Sequence, residues 1–236
     1  MKLLKFKRPI FYIIVLGMVT LAIAFSACSK NKIRANATLD ERMDMATKRF
    51  DRGEDLAAEC HFHMKEYILA ASEYERLINV YPASEFVDDA KFKLGLSYFK
   101  LSPKYSLDQE YTYQAIRHFQ EFLEDYYGAD PELTQEVEQH LNEARDKLAR
   151  KVYESAEIYR KMKYYRSARI YYNKVLEEFF DTQYAPRALY WVGECNRRLE
   201  DYQDAMSAFD EFINKYQSHE WMPRVRSKIK QTREDY

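Results

Sequence analysis

Residues 193–216 read GECNRRLEDYQDAMSAFDEFINKY, and the spacing of five positions within them recurs three more times along the chain. A small residue is followed by an apolar residue, an alanine and two aromatic residues. Offsets of four and seven residues between these positions place side chains on one face of an α-helix. The four sets are Gly193, Leu199, Ala205, Phe209 and Tyr216; Ala156, Met162, Ala168, Tyr172 and Phe179; Gly95, Leu101, Ala115, Phe119 and Tyr126; and Ala58, Met64, Ala70, Tyr74 and Tyr81.

Each repeat is predicted to be a pair of antiparallel helices. Residues 65–67, 163–165 and 200–202 are the shared turn between the two helices, and an eight-residue insertion within 102–113 lengthens the second unit. A small residue lets paired helices approach closely, and the aromatic residues fill the space between successive pairs. We therefore predict an all-α solenoid of about four hairpins.

The first unit resembles the tetratricopeptide repeat family. Ala58, Ala70, Tyr74 and Pro82 have the spacing of the small residue, alanine, aromatic residue and proline of that repeat. The resemblance implies a stack of tetratricopeptide-like hairpins over residues 38–236. The sequence also predicts a helix start at the Thr38 capping box, another at Asp130-Pro131, and a closing helix over Trp221–Arg233.

Composition excludes several classes of protein. Only 5 glycines and 6 prolines occur in 236 residues, which argues against collagen-like, Pro-rich and turn-dense β proteins. The 21 Tyr, 14 Phe and 2 Trp residues supply ample surface for a core, which argues against disorder. Without Lys2, Lys5, Lys7 and Arg8 the chain has 33 basic and 38 acidic side chains, a net charge of −5 that argues against nucleic-acid binding.

The N-terminus is predicted to be an export signal. Residues 1–8 are basic, and residues 10–25 form an apolar run that ends in small residues. Residues 25–29, Phe-Ser-Ala-Cys-Ser, resemble the lipobox of bacterial lipoproteins, which implies a signal peptide over 1–27, acylation of Cys28 and a lipidated tether over 28–37. The resemblance also implies anchoring on the periplasmic face of the outer membrane. An uncleaved transmembrane anchor is the alternative.

The sequence has few candidates for chemistry. Cys60 and Cys195 occupy the same repeat position in units one and four, so we expect them to lie far apart as buried free thiols. His61 and His63 point to different helix faces and are unsuited to one metal site. Phosphate loops and the common hydrolase and zinc motifs are missing, so we predict no enzyme activity, no metal site and no cofactor.

The remaining possible function is the binding of a partner through the protein surface. In a stack of helical pairs the first helix of each unit lines the inner groove, and the positions three before and one and four after the small residue face it. Aromatic and apolar side chains dominate these positions in the first half of the chain: Phe62, Phe92, Leu96 and Phe99. Tyrosine alternates with charge in the second half: Tyr153, Glu157, Arg160, Tyr190, Glu194 and Arg197. Some of these aromatic residues are expected to pack against the next unit instead.

The lipobox, the repeats and the inserted 102–109 loop together resemble the BamD family, the lipoproteins of the β-barrel assembly machinery. The resemblance implies a non-enzymatic scaffold that helps to insert β-barrel proteins into the outer membrane. It implies binding of unfolded outer-membrane proteins, through their C-terminal signals, by the N-terminal half. It also implies docking of the C-terminal half on a periplasmic POTRA domain of the barrel subunit BamA, with other assembly lipoproteins as further partners.

Groove geometry assigns residues to these two roles. The peptide-binding residues are predicted to be Phe62, Phe92, Tyr98 and Phe99. The BamA-binding residues are predicted to be Glu194, Arg197, Arg198 and Arg224. Two alternatives stay open: another periplasmic repeat lipoprotein that acts as an adaptor in envelope biogenesis or cell division, and a peptidoglycan-active enzyme, for which the chain has little room.

Overall fold

The computed structural model describes residues 39–236, and in that part of the chain it has nine α-helices and no strand. The chain divides into two units, residues 1–50 and 51–236; α1 begins in the first, and the hydrophobic core lies in the second. The helices are α1 Leu39–His63, α2 Tyr67–Val80, α3 Val87–Leu101, α4 Glu110–Tyr126, α5 Pro131–Lys161, α6 Tyr165–Glu178, α7 Tyr184–Arg198, α8 Tyr202–Lys215 and α9 Met222–Asp235.

The helices stack in the order of the sequence. From α2 to α9 each helix packs against the next, and α1 is joined to α2 by a hydrogen bond from Tyr74 Oη to Glu59 Oε1 of 3.1 Å. The first helices of successive hairpins also touch, because α3 contacts α5, α5 contacts α7, and α7 contacts α9. The protein is therefore an all-α solenoid of helical hairpins closed by α9, as the repeat spacing predicts.

Several N-terminal predictions lie outside the described residues. These are the signal peptide over 1–27, the tether over 28–37 with Cys28, and the Thr38 cap. Among helices of the described part, none is both long enough and apolar enough to cross a bilayer.

Helix α5 contributes to two hydrophobic clusters. Near its start, Val137 packs with Phe119 and Phe122 of α4, whereas Tyr153 and Ala156 near its end belong to the C-terminal cluster. At its N-terminus the Asp130 side chain accepts hydrogen bonds from the second and third backbone N–H groups, at 3.0 and 3.1 Å. The predicted cap at this position, with Pro131 as the first helical residue, is confirmed.

A glycine facing a phenylalanine closes the second and fourth hairpins. A methyl group on Gly95 would lie 2.8 Å from Cδ1 of Phe119, and one on Gly193 would lie 2.5 Å from Cε1 of Phe209. Both distances are shorter than van der Waals contact, so only glycine allows the ring to lie this close to the helix backbone.

A tyrosine facing an alanine closes the first and third hairpins. Tyr74 and Tyr172 are fully buried. Their hydroxyl groups donate to Glu59 and Glu157, which in each unit directly follow the alanine. In both hairpins this hydrogen bond gives the hydroxyl group of a buried tyrosine a partner that it would otherwise lack.

Three of the turns share one backbone geometry. Lys65, Lys163 and Glu200 have φ of 62°, 64° and 65°, in the left-handed region. In the first turn the Glu66 N–H donates to the His61 carbonyl oxygen at 2.9 Å, and equivalent bonds close the other two turns. This is the Schellman ending of a helix, which usually has glycine at the left-handed position.

The inserted loop in the second hairpin is held from inside. Gln109 is buried, and its Nε2 donates to three carbonyl oxygens of the loop at 2.8, 3.1 and 3.0 Å. The acceptors belong to Lys104, Leu107 and Asp108. These three hydrogen bonds hold residues 104–108 of the loop around one side chain.

The two thiols differ in burial. Both cysteines are free, as predicted, and Cys195 is buried beside Arg160 and Tyr165 of the preceding hairpin. Cys60 is exposed, so the prediction that it is buried is wrong. No preceding hairpin within residues 51–236 covers this face of α1, whereas the third hairpin covers the same face of α7.

The close approach at Gly193 predicts an effect on stability. We expect Gly193→Ala to lower the free energy of unfolding by about 1–3 kcal/mol, because the added methyl group overlaps the Phe209 ring. The control is Gly53→Ala, since Gly53 is an exposed helical residue with open space around its Cα. That change should raise the free energy by about 0.5–1 kcal/mol, and urea unfolding measures both. Equal effects of the two substitutions would contradict the role of Gly193.

The Schellman turns predict a stabilising substitution. We expect Lys163→Gly to raise the free energy of unfolding by about 1 kcal/mol, because glycine adopts a φ of 64° without a steric penalty. Lys163→Ala removes the same side chain and keeps a Cβ, so it should bring no gain. Thermal unfolding followed by circular dichroism would compare them, and a gain with both variants would assign the effect to the lost charge.

Candidate partner-binding surfaces

The four aromatic residues predicted to bind a peptide differ in accessibility. Phe92 is only 4% exposed and packs against Phe119 and His140, so the prediction that it lines the groove surface is wrong. Its ring fills the space between α3, α4 and α5, because the position three before Gly95 faces the next unit here. Phe62, Tyr98 and Phe99 are partly exposed.

Tyr98 and Phe99 are held by polar neighbours. Tyr98 Oη donates to Glu75 Oε1 at 3.0 Å, and its ring stacks on His118 with 5.4 Å between centroids. Burial and the Glu75 hydrogen bond raise the pKa of Tyr98 to about 12. The Lys147 Nζ lies 4.9 Å from the centroid of the Phe99 ring. Both side chains therefore have partners within the chain and remain partly exposed.

An exposed apolar surface surrounds the first turn and was not identified from the sequence. Its side chains are between 50% and 61% exposed, on α1, α2 and the turn between them. They are Leu56, Met64, Ile68 and Leu69. The positional rule used for the groove misses them, because they lie at other positions of the repeat, two before and six, ten and eleven after Ala58.

An acidic cluster near this surface is partly neutralised by a lysine. Oxygen atoms of Asp55, Glu59 and Asp89 lie within 4.8 Å of one another, a separation that suits a metal ion. The Lys93 ammonium is bonded to Glu59 and lies 2.6 Å from Asp89 Oδ2. Burial, together with the neighbouring carboxylates, raises the pKa of Asp55. The ammonium therefore supplies part of the charge that a cation would supply.

Glu194 and Arg197, predicted to contact BamA, are paired within the chain. Arg197 Nε lies 3.1 Å from Glu194 Oε1, and its guanidinium also donates to Asp235 Oδ2 at 2.8 Å. Lys228 Nζ lies 3.3 Å from the other Glu194 oxygen. The prediction that these two charges face a partner is wrong, because α9 covers and neutralises them.

Arg198 and Arg224, the other two predicted BamA contacts, are exposed. The Arg224 guanidinium carbon lies 4.5 Å from the ring centroid of Tyr190 and 5.0 Å from that of Trp221, and its Nε donates to Tyr190 Oη at 2.9 Å. The Arg198 guanidinium carbon lies 5.8 Å from the Tyr165 centroid. Stacking restricts both side chains and leaves N–H groups free to bind an acidic partner.

A small cavity of about 60 Å³ lies beside Arg198, between α5 and α7. Its wall includes Trp191, whose ring centroid is 4.0 Å from the Arg160 guanidinium carbon. Trp191 was not identified as a surface residue from the sequence, because it lies two positions before Gly193. This cavity extends the cationic surface from α9 across α7 to α5.

The fold and these surfaces define a repeat scaffold, a tetratricopeptide-like α-solenoid with an aromatic end and an arginine-rich end. A family model described as "YfiO: Outer membrane lipoprotein" matches residues 56–203, which is more than half of the chain. The chain belongs to this family of outer membrane lipoproteins.

The chain is also similar to a protein of known structure. The chain is similar to a tetratricopeptide repeat protein from Parabacteroides merdae, solved by crystallography, with 12% sequence identity and a TM-score of 0.30. The similarity covers 77% of this chain and 73% of that one. No curated protein sequence matches the chain.

The partly buried Glu157 predicts a dependence of stability on pH. Its carboxylate accepts hydrogen bonds from Arg160 Nε at 2.9 Å and from Tyr172 Oη. Burial opposes ionisation, but these hydrogen bonds outweigh it and hold the pKa of Glu157 below its usual value. The ionised form therefore stabilises the fold above the unfolded-state pKa, and this contribution is lost as the pH falls through the folded-state pKa.

We expect Glu157→Gln to lower the free energy of unfolding by about 1–3 kcal/mol at pH 7, because it removes a charged acceptor. The difference from wild type should shrink as the pH falls below the unfolded-state pKa of a glutamate, about 4.3, and through the lower folded-state pKa of Glu157. Urea unfolding at pH 7 and pH 3 measures this. Glu154→Gln is the control, since Glu154 is partly exposed, lies 4.0 Å from Arg150 and should matter little. A difference that does not change with pH would contradict the role of the charge.

Proposed function

We propose that this protein is a non-enzymatic, lipid-anchored scaffold that helps to assemble β-barrel proteins in the outer membrane. The family match over residues 56–203 carries the proposal, because it places the chain among outer membrane lipoproteins. The two accessible ends of the solenoid support it, since a scaffold has to hold more than one partner. The finer assignments below are part of the same proposal.

The anchor is proposed to be an acylated Cys28 after removal of residues 1–27. Acyl chains contribute about 0.8 kcal/mol per buried methylene group, and more than one chain is needed for stable anchoring. The repeat domain would then lie on the periplasmic face of the outer membrane.

The N-terminal end is proposed to receive C-terminal signals of unfolded outer-membrane proteins. Phe62, Tyr98 and Phe99 are the predicted peptide contacts that are partly exposed at this end, and Phe62 packs edge-on against Tyr67 with 5.4 Å between centroids. The exposed apolar surface that includes Leu56 adds area for an extended or helical peptide.

The C-terminal end is proposed to dock on a periplasmic POTRA domain of BamA. Arg198 and Arg224 are the two exposed arginines of this end predicted to contact BamA, and both are held against aromatic rings. Arginine stacked in this way is suited to bidentate pairing with a carboxylate. The Glu194, Arg197 and Asp235 network has a supporting role here, because it fixes α9, which carries Arg224.

The buried thiol of Cys195 is unsuited to catalysis. Burial raises the pKa of Cys195 to about 12, so the group is protonated at neutral pH and unreactive. The alternative function is an adaptor in envelope biogenesis or cell division, which would use the same surfaces with other partners.

Charge reversal at the C-terminal end tests the proposal. The full-length lipoprotein in detergent would be titrated with the soluble periplasmic domains of BamA from the same organism. We expect binding, and we expect Arg198→Glu with Arg224→Glu to weaken it by about 2 kcal/mol or more, roughly 30-fold in Kd. Calorimetry measures both.

The matched control is Arg226→Glu with Arg233→Glu. These two exposed arginines of α9 lie on the opposite face from Arg224 and give the same change in net charge. They should leave Kd within about threefold of wild type. Equal weakening by both pairs would indicate a nonspecific charge effect. No binding by a well-folded protein would favour the adaptor function.

A further inference from the structure

A groove of about 540 Å³ lies where the 102–109 loop meets the middle of α5 and the start of α7. Its volume is within the range of pockets that bind small ligands. None of the five residues assigned above to peptide or BamA binding lines it. Its wall is formed by Lys104, Tyr105, Glu143, Asp146, Lys147, Arg150, Gln183 and Tyr184.

Lys147 is a half-buried cation without a counter-ion. Its Nζ donates to Ser102 Oγ at 2.8 Å, and within residues 51–236 no carboxylate oxygen lies inside 4.0 Å of it. Burial lowers the pKa of Lys147, and the negative charge of Glu143 opposes this shift only in part. Burying an ammonium group without a paired anion is costly, so an anion in the groove would stabilise it.

Two further cations face the same groove. Lys104 is exposed at its edge and forms no ion pair in the described part of the chain. The Arg150 guanidinium carbon lies 4.2 Å from the centroid of the Tyr105 ring. Among the described residues its one ion-pair partner is Glu154, 4.0 Å from its Nε. Three positive groups from the loop and α5 therefore converge on one space.

Within the described residues, neither acid of the groove forms an ion pair with these cations, and each has another partner. Asp146 Oδ2 accepts a hydrogen bond from Gln183 Nε2 at 2.7 Å. Glu143 accepts one from Gln139 Nε2 at 3.0 Å and lies 3.5 Å from His140 Nδ1. Each carboxylate thus interacts with a neighbouring glutamine or histidine side chain.

The loop wall is rigid before any ligand binds. The buried Gln109 holds three loop carbonyl groups, and Lys151 Nζ donates to the carbonyl oxygen of Leu107. A wall that is already ordered reduces the entropy lost on binding.

We propose that this groove binds an acidic side chain of an extended segment from a partner protein. Charge complementarity points to a carboxylate near Lys147 and Arg150, and the Tyr105 and Tyr184 rings on the wall suit the neighbouring side chains of a peptide. The eight-residue insertion, which the repeat does not require, acquires a role as one wall of the site. The inference does not depend on BamA docking, because it concerns only the charge and shape of the groove.

The test compares two fluorescein-labelled octapeptides, one of alternating tyrosine and glutamate and one of alternating tyrosine and glutamine. Anisotropy would be measured with the full-length protein in a neutral detergent. We expect the acidic peptide to bind at least tenfold more tightly. Lys147→Met should reduce this preference to less than threefold, and Arg150→Gln, which leaves the Ser102 contact in place, should weaken the acidic peptide at least threefold.

Lys100→Met is the matched control, because Lys100 is exposed at the end of α3 and does not line the groove. It should leave the preference unchanged. Circular dichroism melting of each variant checks that the fold is intact. Equal affinity for the two peptides, absence of binding, or an unchanged preference in both groove variants would overturn the proposal. Lys147-dependent retention on phosphatidylglycerol vesicles without a peptide preference would also overturn it, in favour of a lipid phosphate.

Discussion

The contact between an aromatic ring and a residue with little or no side chain holds each hairpin together. Phe209 on Gly193 is the closest example, and the ring occupies space that a methyl group would need. Where alanine replaces glycine, tyrosine replaces phenylalanine, and its hydroxyl bonds to the next glutamate, as Tyr172 does to Glu157. The same contact thus sets the distance between paired helices and orients a charged residue on the inner face.

Much of the fold is predictable from the sequence because the signals are local. Helical spacing, the shared turns and the Asp130 cap each depend on residues a few positions apart, and the structure has them where they are predicted. The continuous α5 is less predictable, because its first half packs on α4 and its second half on α6. That division depends on contacts between distant residues.

The surfaces are predicted less well, because exposure depends on what covers a position. Cys60 and Cys195 occupy equivalent positions, yet only Cys195 has a preceding hairpin against it in the described part of the chain. Arg197 and Arg198 are neighbours, yet α9 neutralises the first and leaves the second exposed. The repeat pattern predicts which face of its helix a residue occupies. It does not predict which other helix or hairpin covers that face.

Helix α5 has a mechanical consequence. Its 31 residues span roughly 46 Å at 1.5 Å per residue, and both of its halves are anchored in hydrophobic clusters. It therefore acts as a stiff rod, without a flexible joint between the aromatic end and the arginine-rich end. Molecules bound at the two ends would be held by α5 at a set separation and angle.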